Sequence, residues 1–153
     1  MSIPKEGSLA PPISLDTDSG EHFDLSSLKG KNVVLYFYPK ADTPGCTKEA
    51  CEFRDNSKKF SHANTVVVGV SPDQSSAQAK FKARFNLPFT LLADPDHKAA
   101  EAYGVWKEKS MYGKKYMGIE RTTFVIDPEG KIKKIFPKVK VEGHAEQVLA
   151  AIG

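Results

Sequence analysis

Cysteine is scarce in this chain, which has only Cys46 and Cys51 among its 153 residues. A chain of this length can bury a core without disulfides, so we expect no structural disulfide framework. Zinc needs about four ligands, and the four histidines stand far apart with no second cysteine pair to complete a set. We therefore expect no metal and no cofactor, and we expect the two cysteines to be catalytic or free.

Long apolar runs are also absent, since no segment approaches the roughly 18 residues that a membrane span requires. The first seven residues lack the apolar region of a secretory signal. Hydrophobic residues make up 40% and charged residues 27% of the chain, which is ordinary for a globular protein. We expect one domain over residues 1–153, located in the cytoplasm and without a membrane partner.

A strong charge imbalance is missing as well, because 22 basic and 19 acidic residues give a net charge of +3. The lysines are spread along the chain, which favours a solvated surface over a nucleic-acid interface. The densest basic clusters lie at residues 107–115 and 131–140. Trp106, Tyr112 and Tyr116 accompany the first cluster and could stack on bases, so nucleic-acid binding is a minor alternative. We expect no nucleic-acid partner.

Strand and helix patterns alternate along the chain and predict an α/β domain. Three segments have the apolar composition of buried strands: residues 32–38, 65–70 and 89–93. Four segments have a helical pattern: residues 44–61, the stretch with Ala77, Phe81 and Phe85, residues 97–103 and residues 143–152. Two pairs of segments predict hairpins: 13–15 with 23–28, and 122–126 with 131–136. We expect a mixed central sheet flanked by helices, with an N-terminal hairpin and with a loop at residues 106–117.

Cys46 stands where the first long helix should begin. An apolar strand ends shortly before Pro44 and Gly45, and Cys46 then starts an apolar stripe that continues at Ala50 and Phe53. Unpaired N–H groups in a first helical turn and the positive end of the helix dipole favour an anionic sulfur. The sequence therefore predicts a nucleophilic thiolate at this position.

The segment Pro39-x-x-x-Thr43-x-x-Cys46, followed by Cys51, resembles the signature of the peroxiredoxins, in particular the PrxQ or bacterioferritin comigratory protein group. Further segments match that family in order and spacing: Gly7-x-x-Ala10-Pro11, residues 34–39, Gly69-Val70-Ser71-x-Asp73, Tyr103-Gly104-Val105 and Arg121-x-Thr123-Phe124-Val125-Ile126-Asp127. The resemblance covers nearly the whole chain and implies a thioredoxin-like fold.

The resemblance also implies a role for each matched residue. Cys46 would attack a peroxide oxygen and become a sulfenic acid. Thr43 would hold the peroxide through its hydroxyl, and Arg121 would stabilise the thiolate and the charge that develops on the oxygens. Pro39 would shield the sulfur from bulk water, and Glu49 would orient the arginine. Without the motif, Thr43 would be interpreted as a helix cap and Arg121 as a surface residue.

Cys51 would be the resolving cysteine, which forms an intramolecular disulfide with Cys46 in the oxidised state. Five residues of helix advance about 7.5 Å and turn the second side chain roughly 140° away from the first. The Cα separation of about 8.7 Å exceeds the roughly 7 Å limit for a disulfide. We therefore expect the helix to unwind on oxidation, which the weak helix formers Pro44, Gly45 and Thr47 would facilitate.

The implied function is antioxidant defence by a monomeric, thiol-dependent peroxidase that reduces hydrogen peroxide and organic hydroperoxides. Since the chain has no third cysteine, we expect thioredoxin or a glutaredoxin-type dithiol protein as the reductant. A thiol-disulfide oxidoreductase is one alternative, although such enzymes use Cys-x-x-Cys spacing. A non-enzymatic module switched by its disulfide is a second.

Overall fold

A computed structural model describes residues 3–152, and nine strands and five α-helices lie in this part of the chain. The strands are β1 (Ser14–Thr17), β2 (His22–Asp24), β3 (Asn32–Phe37), β4 (Thr65–Ser71), β5 (Thr90–Ala93), β6 (Trp106–Met111), β7 (Lys114–Ile119), β8 (Thr122–Ile126) and β9 (Ile132–Phe136). The helices are α1 (Pro44–Asp55), α2 (Ser57–His62), α3 (Ser75–Phe85), α4 (Lys98–Ala102) and α5 (His144–Ile152). None of these helices has the length and apolar character needed to cross a membrane.

Seven strands form a mixed central sheet in the order β2-β1-β5-β4-β3-β8-β9. The inner strands β3, β4 and β5 are parallel, whereas β8, β9, β1 and β2 pair in antiparallel fashion. This is the predicted mixed sheet with helices on its faces. The expected N-terminal hairpin is β1 with β2, and the expected hairpin near the C-terminus is β8 with β9.

β3 lies in the middle of the sheet and is buried on both faces, as its uncharged sequence predicts. Val34 and Tyr36 contribute to the core cluster that includes the side chains of α1 and α3. Val33, Leu35 and Phe37 contribute to the cluster on the opposite face, which includes α4. The chain leaves the carboxyl end of β3 at Phe37, and the next element is α1, which begins at Pro44.

Two predicted segments have a different structure from the one expected. The helix expected over residues 44–61 is divided at Asn56, whose backbone leaves the helical conformation and whose side-chain amide donates to the Glu52 carbonyl at 2.8 Å. The expected loop at residues 106–117 is the antiparallel hairpin β6–β7, closed by Tyr112 and Gly113 with positive φ angles. This segment is rich in charged residues, so it lacks the alternation of polar and apolar residues that normally indicates a strand.

Gly69 on β4 tests the packing of the central sheet. A Cβ atom there would lie 2.9 Å from Cζ of Tyr36 and 3.0 Å from Cδ2 of Leu91, and both side chains are fully buried. We expect Gly69→Ala to lower the free energy of unfolding in urea by about 1–3 kcal/mol, because the core must shift to accept the methyl group. Gly118→Ala is the matched control, since its nearest contact would be an ordinary 3.5 Å. Equal stability of the two variants would contradict the prediction.

Candidate active site

The site begins at the first turn of α1. Thr43 precedes the helix with extended backbone angles, Pro44 occupies the first turn, and the N–H of Thr47 donates to the Thr43 carbonyl at 2.8 Å. Proline suits this position because its missing N–H would have no partner in a first helical turn. Cys46 is 1% exposed and lies on the face of α1 that packs against the sheet. The buried thiol therefore lies in the first turn of the helix, as predicted.

Arg121 brings a positive charge to this thiol from the start of β8. One terminal nitrogen, Nη2, donates to the Cys46 sulfur at 3.3 Å, and the other, Nη1, donates to Oε1 of Glu49 at 2.6 Å. A Cβ atom on Gly45 would lie 3.3 Å from Nη2, so the glycine leaves room for this approach. Burial alone would lower the pKa of Arg121. The charges of Glu49 and Cys46 outweigh this effect, so the pKa is raised. Arg121 is therefore a permanent cation in contact with the sulfur.

Glu49 lies one turn after Cys46 on α1 and is 1% exposed. Burial raises the pKa of its carboxyl group to about 7, although the charge and hydrogen bond of Arg121 act in the opposite direction. Its second oxygen, Oε2, has no hydrogen-bond partner in the described structure. Glu49 is thus placed to orient Arg121, and near neutral pH it neutralises only part of the guanidinium charge.

Thr43 is the N-cap residue of α1, but its side chain takes no part in the capping. Its hydroxyl donates to the Lys40 carbonyl at 2.8 Å, and its side chain makes no hydrogen bond to a helical N–H group. The hydroxyl oxygen can still accept a hydrogen bond. The interpretation of Thr43 as the N-cap residue is therefore confirmed, although its side chain makes no capping bond, and its role as a peroxide ligand stays a prediction.

The other two predicted residues, Pro39 and Cys51, are both half-buried. Pro39 is half-buried directly after β3, and its shielding role stays a prediction. Cys51 is half-buried on α1, and both cysteines are free thiols. Because one uninterrupted helix contains both, the structure corresponds to the reduced state in which their sulfurs cannot meet.

Lys109 on β6 is a charged neighbour of the site that the sequence did not indicate. Partial burial lowers its pKa, the charge of Arg121 lowers it further, and the charges of Cys46 and Glu120 act in the opposite direction. The lysine reaches this position because the hairpin β6–β7 leads directly into β8 and Arg121. Within residues 3–152, no three His, Cys, Asp or Glu side chains are grouped as metal ligands.

Comparison with known protein sequences identifies close relatives of this chain. Residues 7–135 match the model of the AhpC/TSA family. A putative peroxiredoxin bcp from Coxiella burnetii is 56% identical over 152 residues, which cover 99% of this chain and 100% of the relative. Peroxiredoxin Bcp from Bacillus subtilis is 53% identical over 146 residues, which cover 95% and 93% of the two chains.

Solved structures share the fold over nearly the whole chain. Peroxiredoxin Q from Xanthomonas campestris matches with a TM-score of 0.88 and 41% identity, covering 92% of this chain and 89% of that one. A structure of the bacterioferritin comigratory protein of the same organism concerns its alkyl peroxide reduction activity and a trapped intermediate/ligand complex. Peroxidoxin BcpB from Mycobacterium tuberculosis has a TM-score of 0.86 and 38% identity, covering 97% and 96%.

The buried carboxyl group of Glu49 predicts a pH-dependent stability. Its pKa rises from 4.5 to about 7 on folding, so between these values the folded protein retains a proton that the unfolded chain has released. We expect the free energy of unfolding to fall as the pH rises through this range, by about 3 kcal/mol from this group. Glu49→Gln should remove that part of the dependence in urea unfolding measured from pH 4.5 to above pH 7.

Glu146→Gln is the control for this measurement, since Glu146 is exposed on α5 and does not contribute to the raised pKa of Glu49. It should keep the wild-type slope of stability against pH. Identical slopes for wild type and Glu49→Gln would contradict the prediction.

Proposed function

The chain belongs to the AhpC/TSA family and, within it, to the Bcp/PrxQ peroxiredoxins, which are thiol-dependent peroxidases, and we propose that Cys46 is its attacking thiol. The observation that carries this assignment is the 3.3 Å contact between Nη2 of Arg121 and the sulfur of Cys46 at the start of α1. A guanidinium stabilises a neighbouring thiolate, and the thiolate is the nucleophilic form, so this contact supports attack by Cys46.

In the first step the Cys46 thiolate attacks one oxygen of a hydroperoxide. A sulfur–oxygen bond forms and the oxygen–oxygen bond breaks, so the sulfur is oxidised to a sulfenic acid and the peroxide is reduced. The second oxygen leaves as hydroxide or alkoxide and takes up a proton to become water or an alcohol. Hydrogen peroxide and organic hydroperoxides both contain the bond that this step requires.

The surrounding residues support this attack. Arg121 stabilises the negative charge that moves from sulfur to the leaving oxygen, and Glu49 holds the guanidinium in place through its 2.6 Å hydrogen bond. Thr43 presents a hydroxyl that holds the peroxide, and Pro39 shields the sulfur from water. The roles of Thr43 and Pro39 rest on their places in the family motif and on their positions at the entrance to α1.

Cys51 resolves the sulfenic acid. Its thiolate attacks the Cys46 sulfur, a sulfur–sulfur bond forms and the sulfur–oxygen bond breaks. The hydroxide that leaves takes up a proton and becomes water. This step requires the first turns of α1 to unwind, because the intact helix separates the two cysteines. A dithiol protein of the thioredoxin or glutaredoxin type then reduces the disulfide and becomes oxidised itself.

The enzyme acts as a single domain over residues 1–153 and as a monomer. Both core clusters pack on the two faces of one sheet, which supports a single folding unit. An intrachain resolving cysteine removes the need for a thiol from a second subunit. A dithiol reductant works in a reducing compartment, so we place the enzyme in the cytoplasm.

Serine substitutions separate the two cysteines. Cys46→Ser should abolish peroxide consumption, because a hydroxyl is far less nucleophilic than a thiolate. Cys51→Ser should retain one equivalent of peroxide consumption but lose turnover with a thioredoxin system. Ferrous oxidation–xylenol orange detection of residual peroxide measures both quantities. Full turnover by Cys46→Ser would contradict the assignment of the attacking thiol.

Oxidation should open α1 locally. We expect faster amide hydrogen exchange at residues 44–51 in the disulfide form than in the reduced form, with little change in β3 and β4. Cys51→Ser provides the control, since its oxidised form carries no intrachain disulfide and should keep the exchange pattern of the reduced helix. Unchanged exchange of residues 44–51 after disulfide formation would contradict the prediction.

A further inference from the structure

A buried hydrogen-bond network lies beside the site and is not used by the chemistry described above. Tyr38, Ser71 and Gln78 are completely buried, and they come from the end of β3, the end of β4 and helix α3. The Tyr38 hydroxyl donates to Oε1 of Gln78 at 2.6 Å, and burial raises the pKa of this tyrosine far above 10, so it stays a donor. The network therefore begins with a fixed direction of donation.

The direction continues from Gln78 to Asp73. Nε2 of Gln78 donates to the Ser71 hydroxyl oxygen and to the Leu92 carbonyl, each at 2.8 Å. With its oxygen engaged as an acceptor, the Ser71 hydroxyl donates to Oδ2 of Asp73 at 2.6 Å. The side-chain amide of Gln78 and the Ser71 hydroxyl thus have defined partners. Asp73 accepts the last side-chain hydrogen bond of the network.

Asp73 connects this network to the loop of the active site. The same oxygen, Oδ2, accepts the backbone N–H of Ala41 at 2.7 Å. Ala41 lies midway between Pro39 and Thr43, the two residues that precede Cys46 in the family motif. A backbone N–H bound to a carboxylate is a strong, charge-assisted contact, so the loop is held at its centre.

We propose that Asp73 is a positioning residue that sets the loop of residues 39–43 for peroxide binding, separately from the activation of the thiol. This inference rests on the proposed function. The two tasks have separate supports in the structure. Arg121, directly before β8, contacts the sulfur and is held by Glu49 of α1. Asp73, between β4 and α3, contacts the loop instead. The loop also has a contact at its surface, where the exposed side chain of Asp42 pairs with Arg84.

The Cys51→Ser background allows a direct test, because Cys46 is then the only thiol. Peroxide oxidation of Cys46 requires both the thiolate and the peroxide pocket, whereas alkylation by iodoacetamide requires the thiolate alone. We expect Asp73→Ala to slow oxidation by about 10- to 100-fold, the range that misplacement of a substrate-holding group produces. The alkylation rate should change by no more than about twofold, since the contacts of Arg121 are untouched.

Two further variants separate positioning from a general loss of structure. Asp73→Asn keeps an oxygen that can accept the Ala41 N–H, so its oxidation rate should stay within about threefold of the parent rate. Asp73→Glu keeps the charge but displaces the carboxylate by one methylene, and it should slow oxidation even if Asp73→Ala does not fold. Mass spectrometry measures both the sulfenic acid and the alkylated product.

Asp127→Ala is the matched control, since Asp127 also accepts backbone N–H groups, those of Glu129 and Lys131. Asp127 follows β8, whose last residue pairs with the start of β3, so it lies at the opposite end of the strands from the loop. It should leave the ratio of oxidation to alkylation unchanged. The proposal is overturned if Asp73→Ala and Asp73→Glu oxidise at the parent rate, or if alkylation changes as much as oxidation. Absence of oxidation in the parent itself would instead reject the proposed function.

Discussion

The partly buried guanidinium of Arg121 makes the contacts on which the rest of the site depends. It joins the sheet to α1 by donating to Glu49 with one nitrogen and to the Cys46 sulfur with the other. A fully ionised Glu49 would neutralise this charge, but burial raises the pKa of that carboxyl group to about 7. Part of the positive charge therefore remains available to the sulfur and to peroxide oxygens. The same burial that weakens the ion pair leaves the arginine able to take the catalytic role that we propose for it.

Helix α1 has to satisfy two conflicting requirements. Its first turn must be intact to hold Cys46 next to Arg121, yet an intact helix turns Cys51 away from Cys46. The two requirements apply at different stages of the reaction if the helix is intact before oxidation and opens after it. Formation of the sulfenic acid replaces the thiolate, which removes the charge that Arg121 stabilises.

Much of the fold could be predicted from the sequence, because it depends on local patterns. The uncharged residues of β3 and β4 predicted strands buried on both faces, and the stripe from Cys46 to Phe53 predicted the packed face of α1. The break at Asn56 was missed because a single polar residue does not interrupt the apolar period. The hairpin β6–β7 was missed because its lysines lie on an exposed sheet, where alternation of polar and apolar residues is not required.

The sequence by itself determined that a thiol stands at a helix start, that a second thiol follows five residues later, and that a family motif surrounds them. Those features are local, and their consequences follow from helix geometry and residue chemistry. Only the tertiary structure placed Arg121 against the Cys46 sulfur and Asp73 against the Ala41 N–H. These partners are 75 and 32 residues apart in the chain, so strand order, rather than any local pattern, brings them together.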